Sequence, residues 1–168
     1  MNILFVFVLI LFAAFSRLIP HAPNFTPVIS MALFAGTYLK NRFAFLVPIL
    51  ALFISDAIIG FYGTLMIFVY GSLGIIVVVS LLMRGRVSTS KVFGFSLVGA
   101  LCFFIITNFG VWILPSSMYP KTFAGLLLCY EMALPFFRNT IFSTLIYSAV
   151  MFGAYEMAEK YVHRMRVV

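Results

Sequence analysis

Six apolar runs, at about residues 2–19, 26–40, 43–60, 64–83, 92–114 and 136–159, are separated by short polar connectors. A helix crossing the hydrocarbon of a bilayer needs roughly 20 such residues, and shorter runs serve where protein or bilayer adapts. The run 26–40 is the shortest of the six. An amphipathic stretch, "KTFAGLLLCYEMALP" at 121–135, predicts a short helix at the membrane surface or dipping partway in. The opening run, "NILFVFVLILFAAFS", has no basic leader and is read as a membrane helix rather than a signal peptide. The pattern therefore predicts one domain over 1–168, an all-α integral membrane protein with six transmembrane helices. Small residues four apart, Ala32 with Gly36 and Ser96 with Ala100, let helices approach closely and are read as packing positions.

Charge sets the orientation. Of the eleven basic residues, Lys40, Arg42, Arg84, Arg86, Lys91, Lys160, Arg164 and Arg166 fall in alternate connectors or after the last run. The positive-inside rule makes those places cytoplasmic, so six spans leave both termini inside. Only Arg17, Lys121 and Arg138 remain outside. With 64% hydrophobic and 9% charged residues and a mean hydropathy of +1.18, the chain has more apolar surface than a soluble core of its size can bury. The net charge of +7 would suggest nucleic acid in a soluble domain. Here it flanks apolar runs, and a lipid bilayer, not nucleic acid, is the partner it implies.

With that topology the unusual residues gather at the outer end. Arg17, His21, Asn24 and Phe25 lie in the first outer connector, Asp56 about one turn below the outer end of the third run, and Asn108, Trp112, Glu131, Arg138 and Asn139 near the same level. A carboxylate in an apolar run is costly to bury, so Asp56 should face the interior or a watery cavity and find a partner, with Arg17 or Arg138 the candidates. Two readings stay open for it, a ligand anchor and a structural salt bridge. Pro20, Pro23 and Pro27 make "PHAPNFTP" a stiff connector that could present His21, Asn24 and Phe25 to a solute, or serve as a tight helix-to-helix turn. Thr26 followed by Pro27 predicts an N-cap with proline at the first helical position. The outer aromatics Phe25, Phe61, Tyr62, Trp112, Tyr119 and Tyr130 form either an interfacial belt or a stacking surface for a planar ligand.

Catalytic signatures are missing. The sequence has no GxSxG, HExxH or P-loop pattern, and His21 and His163 fall on opposite sides of the predicted membrane. Cys102 and Cys129 form no CxxC pair. No catalytic residue, metal site or cofactor is predicted, and the chain is read as a non-enzyme.

The stretch "RLIPHAPNFTPVISMALFAGTYLKNRFAFLVPILALFISDAIIGFYG", 17–63, resembles a family of small bacterial membrane proteins of unassigned function, described as transport proteins and related to the S components of energy-coupling-factor (ECF) transporters. The elements "PHAPNFTP", "ALFAG" and "SDAIIG" carry the resemblance, while the second half is similar only in hydropathy and length. It implies an S-component-like bundle in the bacterial cytoplasmic (inner) membrane, with a vitamin or similar micronutrient held near the outer face and the loop after the first helix acting as a lid. Many S components dock to the ECF energising module through AxxxA in the first helix. Here that helix has only Ala13 and Ala14, and the AxxxA of this chain is Ala154 to Ala158. The leading expectation is a substrate-binding subunit for micronutrient uptake, whose planar or aromatic solute meets Arg17, His21, Asn24, Phe25, Asp56, Asn108, Trp112 and Arg138. The competing expectation is an accessory structural subunit of a larger membrane complex.

Overall fold

The computed structural model describes residues 3–40 and 42–167, which contain six α-helices and no strand. These are α1 (Ile3–Ser16), α2 (Val28–Tyr38), α3 (Phe43–Ile59), α4 (Leu65–Ser80, continued by a 3-10 turn Leu81–Met83), α5 (Thr89–Ile113) and α6 (Phe123–Val167). Three stretches, Leu65–Met83, Thr89–Ile113 and Phe123–Met165, are long and apolar enough to cross a membrane; α1, α2 and α3 are shorter apolar helices. The outward face is strongly apolar, with Phe12 and Leu82 each 72% exposed.

The shortest run becomes the centre of the fold. Every residue of α2 from Val28 to Thr37 is buried, and the helix packs against all five others. A helix apolar on every side has no solvent face to offer and belongs inside a bundle. Its 11 residues give about 16 Å of length. The 25 residues of α5 give about 37 Å, so the two cannot reach the same levels at both ends.

Side chains tie the C-terminal end of α2 down. Arg84, just beyond the 3-10 turn, donates from Nε to the Gly36 carbonyl at 2.8 Å and from Nη2 to the Leu39 carbonyl. A guanidinium there satisfies carbonyls the helix cannot pair and sits at the negative end of the helix dipole. Gly36 also brings α2 against α4, because a Cβ at that position would lie 2.7 Å from the Val77 carbonyl.

At its other end α2 stops short. Gly99 of α5 faces Ile29 and Leu33, and Ile113 ends α5 fourteen residues further out, about 21 Å along the axis. The first turn of α2 thus falls short of the C-terminal end of α5. No side chain caps it: the residue before the helix is Pro27, and Thr26 does not take the capping role its position suggested.

The segment 121–135 is not a separate helix. It runs on without a break into the sixth run as the 45-residue α6, with Pro135 inside. Proline removes one backbone donor and strands the carbonyl four residues back, here on exposed Glu131, and neighbouring helices let membrane helices absorb such a loss. The N-terminal part of α6 is held against α5 by the Tyr130 hydroxyl, which donates to the Ile105 carbonyl at 2.7 Å.

Candidate functional site

The α1–α2 and α3–α4 connectors meet at one buried ion pair. Arg17 follows the last turn of α1 and Asp56 lies in the last turn of α3, with Arg17 Nη2 2.8 Å from Asp56 Oδ1. The carboxylate is 0% exposed and the arginine side chain 11%. Oδ2 accepts from the Tyr70 hydroxyl at 2.8 Å and from the Tyr62 hydroxyl at 3.1 Å. Arg17 Nη1 donates to Ser55 Oγ, and Ser55 Oγ donates to the Leu52 carbonyl at 2.8 Å. Burial, and then the neighbouring carboxylate, push the Tyr62 phenol well above its ordinary pKa, so it stays a protonated donor. Of the two basic partners the sequence offers Asp56, Arg17 is the one bonded. Arg138 is exposed, with its guanidinium over the Phe142 ring at 5.8 Å.

The Pro-rich connector has a definite shape. Phe25 N donates to the Ala22 carbonyl at 3.0 Å, closing a β-turn with Pro23 second and Asn24 third. Asn24 has φ +60, the left-handed value that a type II turn requires at its third position and that Asn tolerates. The turn then docks along one face of α6. Asn139 donates to the Pro23 carbonyl at 3.0 Å, Ser143 Oγ, which donates to the Thr140 carbonyl at 3.1 Å, lies 3.5 Å from the Asn24 carbonyl, and the Phe25 ring lies 6.3 Å from that of Tyr147. Residues 139, 143 and 147 are four apart and share a helix face, which gives the connector a ladder to descend. His21 and Asn24 are exposed. His21 Nδ1 lies 2.7 Å from the Ile19 carbonyl, which can only accept, so Nδ1 carries the proton and Nε2 of the neutral ring is an acceptor.

The remaining sequence candidates make contacts away from the ion pair. Asn108 donates to the Phe104 carbonyl one turn back. Trp112 Nε1 donates to the Pro120 carbonyl at 2.9 Å, and Lys121 Nζ caps the end of α5 through the Trp112 and Leu114 carbonyls. These contacts pin the α5–α6 connector. The eight candidates thus form an Arg17–Asp56 pair and a connector carrying His21, Asn24 and Phe25, with Asn108 and Trp112 hydrogen-bonded elsewhere and Arg138 over the Phe142 ring.

Tyr62 and Tyr70 escaped the sequence reading as partners of Asp56. A signal existed: Asp56 and Tyr70 lie seven residues either side of Gly63, as partners across an antiparallel helix pair should. Gly60 and Gly63, with φ +116 and +68, supply the tight turn between α3 and α4. Tyr62 also lines a cleft of about 520 Å³ with Thr64, Ser116, Ser117 and Tyr119. That volume falls in the usual range for small-molecule sites.

No curated protein and no solved structure matches the chain. One family does, over residues 1–165, and on that match the chain belongs to the family of unknown function DUF6580.

Proposed function

We propose that this chain is an integral membrane protein of the bacterial inner membrane that crosses six times, keeps both termini in the cytoplasm and captures a small solute at its outer end. The solute class is a vitamin-like micronutrient with a planar or aromatic part. The chain then acts as the substrate-binding subunit of an uptake system, in the manner of the ECF S components its first half resembles.

The observation that carries the reading is the α1–α2 connector. Asn139, which holds it, lies sixteen residues from the start of α6, about 24 Å along that helix. Irregular backbone inside a bilayer is tolerated only when it is buried in protein or lines a water-filled cavity. His21, Ala22, Pro23 and Asn24 are exposed, which favours water. The second crossing is then completed by the connector, since α2 is too short to make it alone. Tyr62 supports the same end of the molecule, because it belongs both to the outer cleft and to the Asp56 cluster. Basic residues in the α2–α3 and α4–α5 connectors and at the end of α6 favour a cytoplasmic opposite end.

Native mass spectrometry of the gently solubilised protein tests the proposal. A retained compound of vitamin size is expected, lost from His21→Ala and from Asn24→Gly while both variants still elute as a sharp peak. Glycine keeps the positive φ and removes only the amide. An empty chain bound stoichiometrically to other membrane subunits would instead establish the accessory-subunit reading.

A further inference from the structure

Away from the outer end, a cleft of about 450 Å³ opens between the inner halves of α5 and α6. Its walls are mostly apolar, including Phe93 and Phe152, but two buried serines, Ser96 and Ser148, also line it. They belong to a hydrogen-bonded chain that crosses three helices. Ser96 Oγ meets Ser148 Oγ at 3.0 Å, Ser148 Oγ meets Ser30 Oγ at 3.0 Å, and Ser30 Oγ meets the Thr144 carbonyl at 2.9 Å.

The carbonyl fixes the direction of every proton in that chain. It can only accept, so Ser30 donates to it; Ser148 must then donate to Ser30, and Ser96 to Ser148. Each hydroxyl has a single proton, and all three are spent inward. At the cleft wall Ser96 Oγ retains only acceptor capacity. The other polar lining residues, Thr89 and Glu156, lie about two helical turns from Ser96 and Ser148 on their own helices. Gly153 leaves the wall open, since a Cβ there would meet nothing within 4 Å.

We propose that this cleft binds a long-chain alcohol, an apolar tail ending in a hydroxyl that donates to Ser96 Oγ. The tail lies against Phe93 and Phe152, and the polar end is recognised because the serine chain offers a lone pair and no proton. At Ser96 a molecule that can only accept finds no partner, since the Thr89 hydroxyl that also lines the cleft lies about two helical turns away, and burying its oxygen unpaired is unfavourable.

The test is retention of two probes, 1-dodecanol and its methyl ether, by the full chain released from phosphatidylcholine nanodiscs into native mass spectrometry. The alcohol is expected to bind about tenfold more tightly than the ether, the size of one net hydrogen bond. Ser96→Ala should bring the alcohol down to the level of the ether without moving the ether. Gly153→Leu, which leaves the serine chain intact and fills the cleft, should abolish both. Equal binding of alcohol and ether by the unmodified protein would overturn the assignment. So would a preference that survives Ser96→Ala, or binding that survives Gly153→Leu. Should Ser96→Ala fail to fold, the two-probe contrast and Gly153→Leu still decide.

Discussion

Replacing Asp56 with alanine is expected to destabilise the protein by about 3–5 kcal/mol, the range for removing one partner of a buried pair. For a chain of this size that corresponds to a fall in melting temperature on the order of 10 °C. The cost comes from what remains. Arg17 is 11% exposed and would keep its charge with no carboxylate beside it, while the Tyr62 and Tyr70 hydroxyls would lose their acceptor. Asp56→Asn should fall between, because its amide oxygen still accepts from Tyr70 but carries no charge. The double variant Arg17→Met with Asp56→Leu should recover most of the loss, since replacing a whole buried pair by apolar groups is often neutral or stabilising. Thermal melts of the four proteins in one detergent check this. An Asp56→Ala protein as stable as the parent would mean the pair contributes nothing to holding the outer ends of α1 and α3.

Gly36→Leu should be comparably damaging for a steric reason. A Cβ on residue 36 would lie 1.7 Å from Ser80 Oγ and 2.7 Å from the Val77 carbonyl. The serine can rotate away, but the carbonyl belongs to the backbone of α4 and moves only with the helix. Even Gly36→Ala should cost about 1–3 kcal/mol, the typical penalty of overpacking. The larger side chain should separate α2 from α4 and draw the Gly36 carbonyl away from Arg84. Gly74→Ala is the control: it is also a helical glycine, yet a Cβ there meets nothing within 4 Å, so the change should be neutral or slightly stabilising through helix propensity. Equal melts for the two alanine variants would contradict the close approach.

Much of this was legible in the sequence because lipid and protein interior both select apolar runs. Helices α1 to α5 lie at five of the predicted runs, with ends shifted by a few residues. Apolarity alone could not say that the shortest run is the buried centre, since a lipid-facing helix and a fully enclosed one read alike. The joining of 121–135 to the last run was hidden by Pro135, which reads as a boundary in a propensity argument and is carried through by packing on α5. The isolated carboxylate pointed to Arg17 or Arg138 because an intramembrane charge must have a partner, and only the fold selects Arg17. Asn24 was ambiguous for a physical reason. Its amide can serve a ligand, yet the same residue type is what a positive φ in a turn selects, and the second role is now visible in its backbone. Asn108 and Trp112 share the predicted level of Asp56, but level along a helix does not fix azimuth. Their hydrogen bonds go to their own helix and to the α5–α6 connector.

The most direct test of a hydrated outer recess is thiol accessibility at its floor. In a background with Cys102 and Cys129 replaced by serine, His21→Cys in intact cells should react with a membrane-impermeant maleimide added outside. Arg86→Cys, in the α4–α5 connector, should react only after the cells are opened. A His21→Cys protein that is protected until lysis, or that labels only from the cytoplasmic side, would contradict both the orientation and the recess.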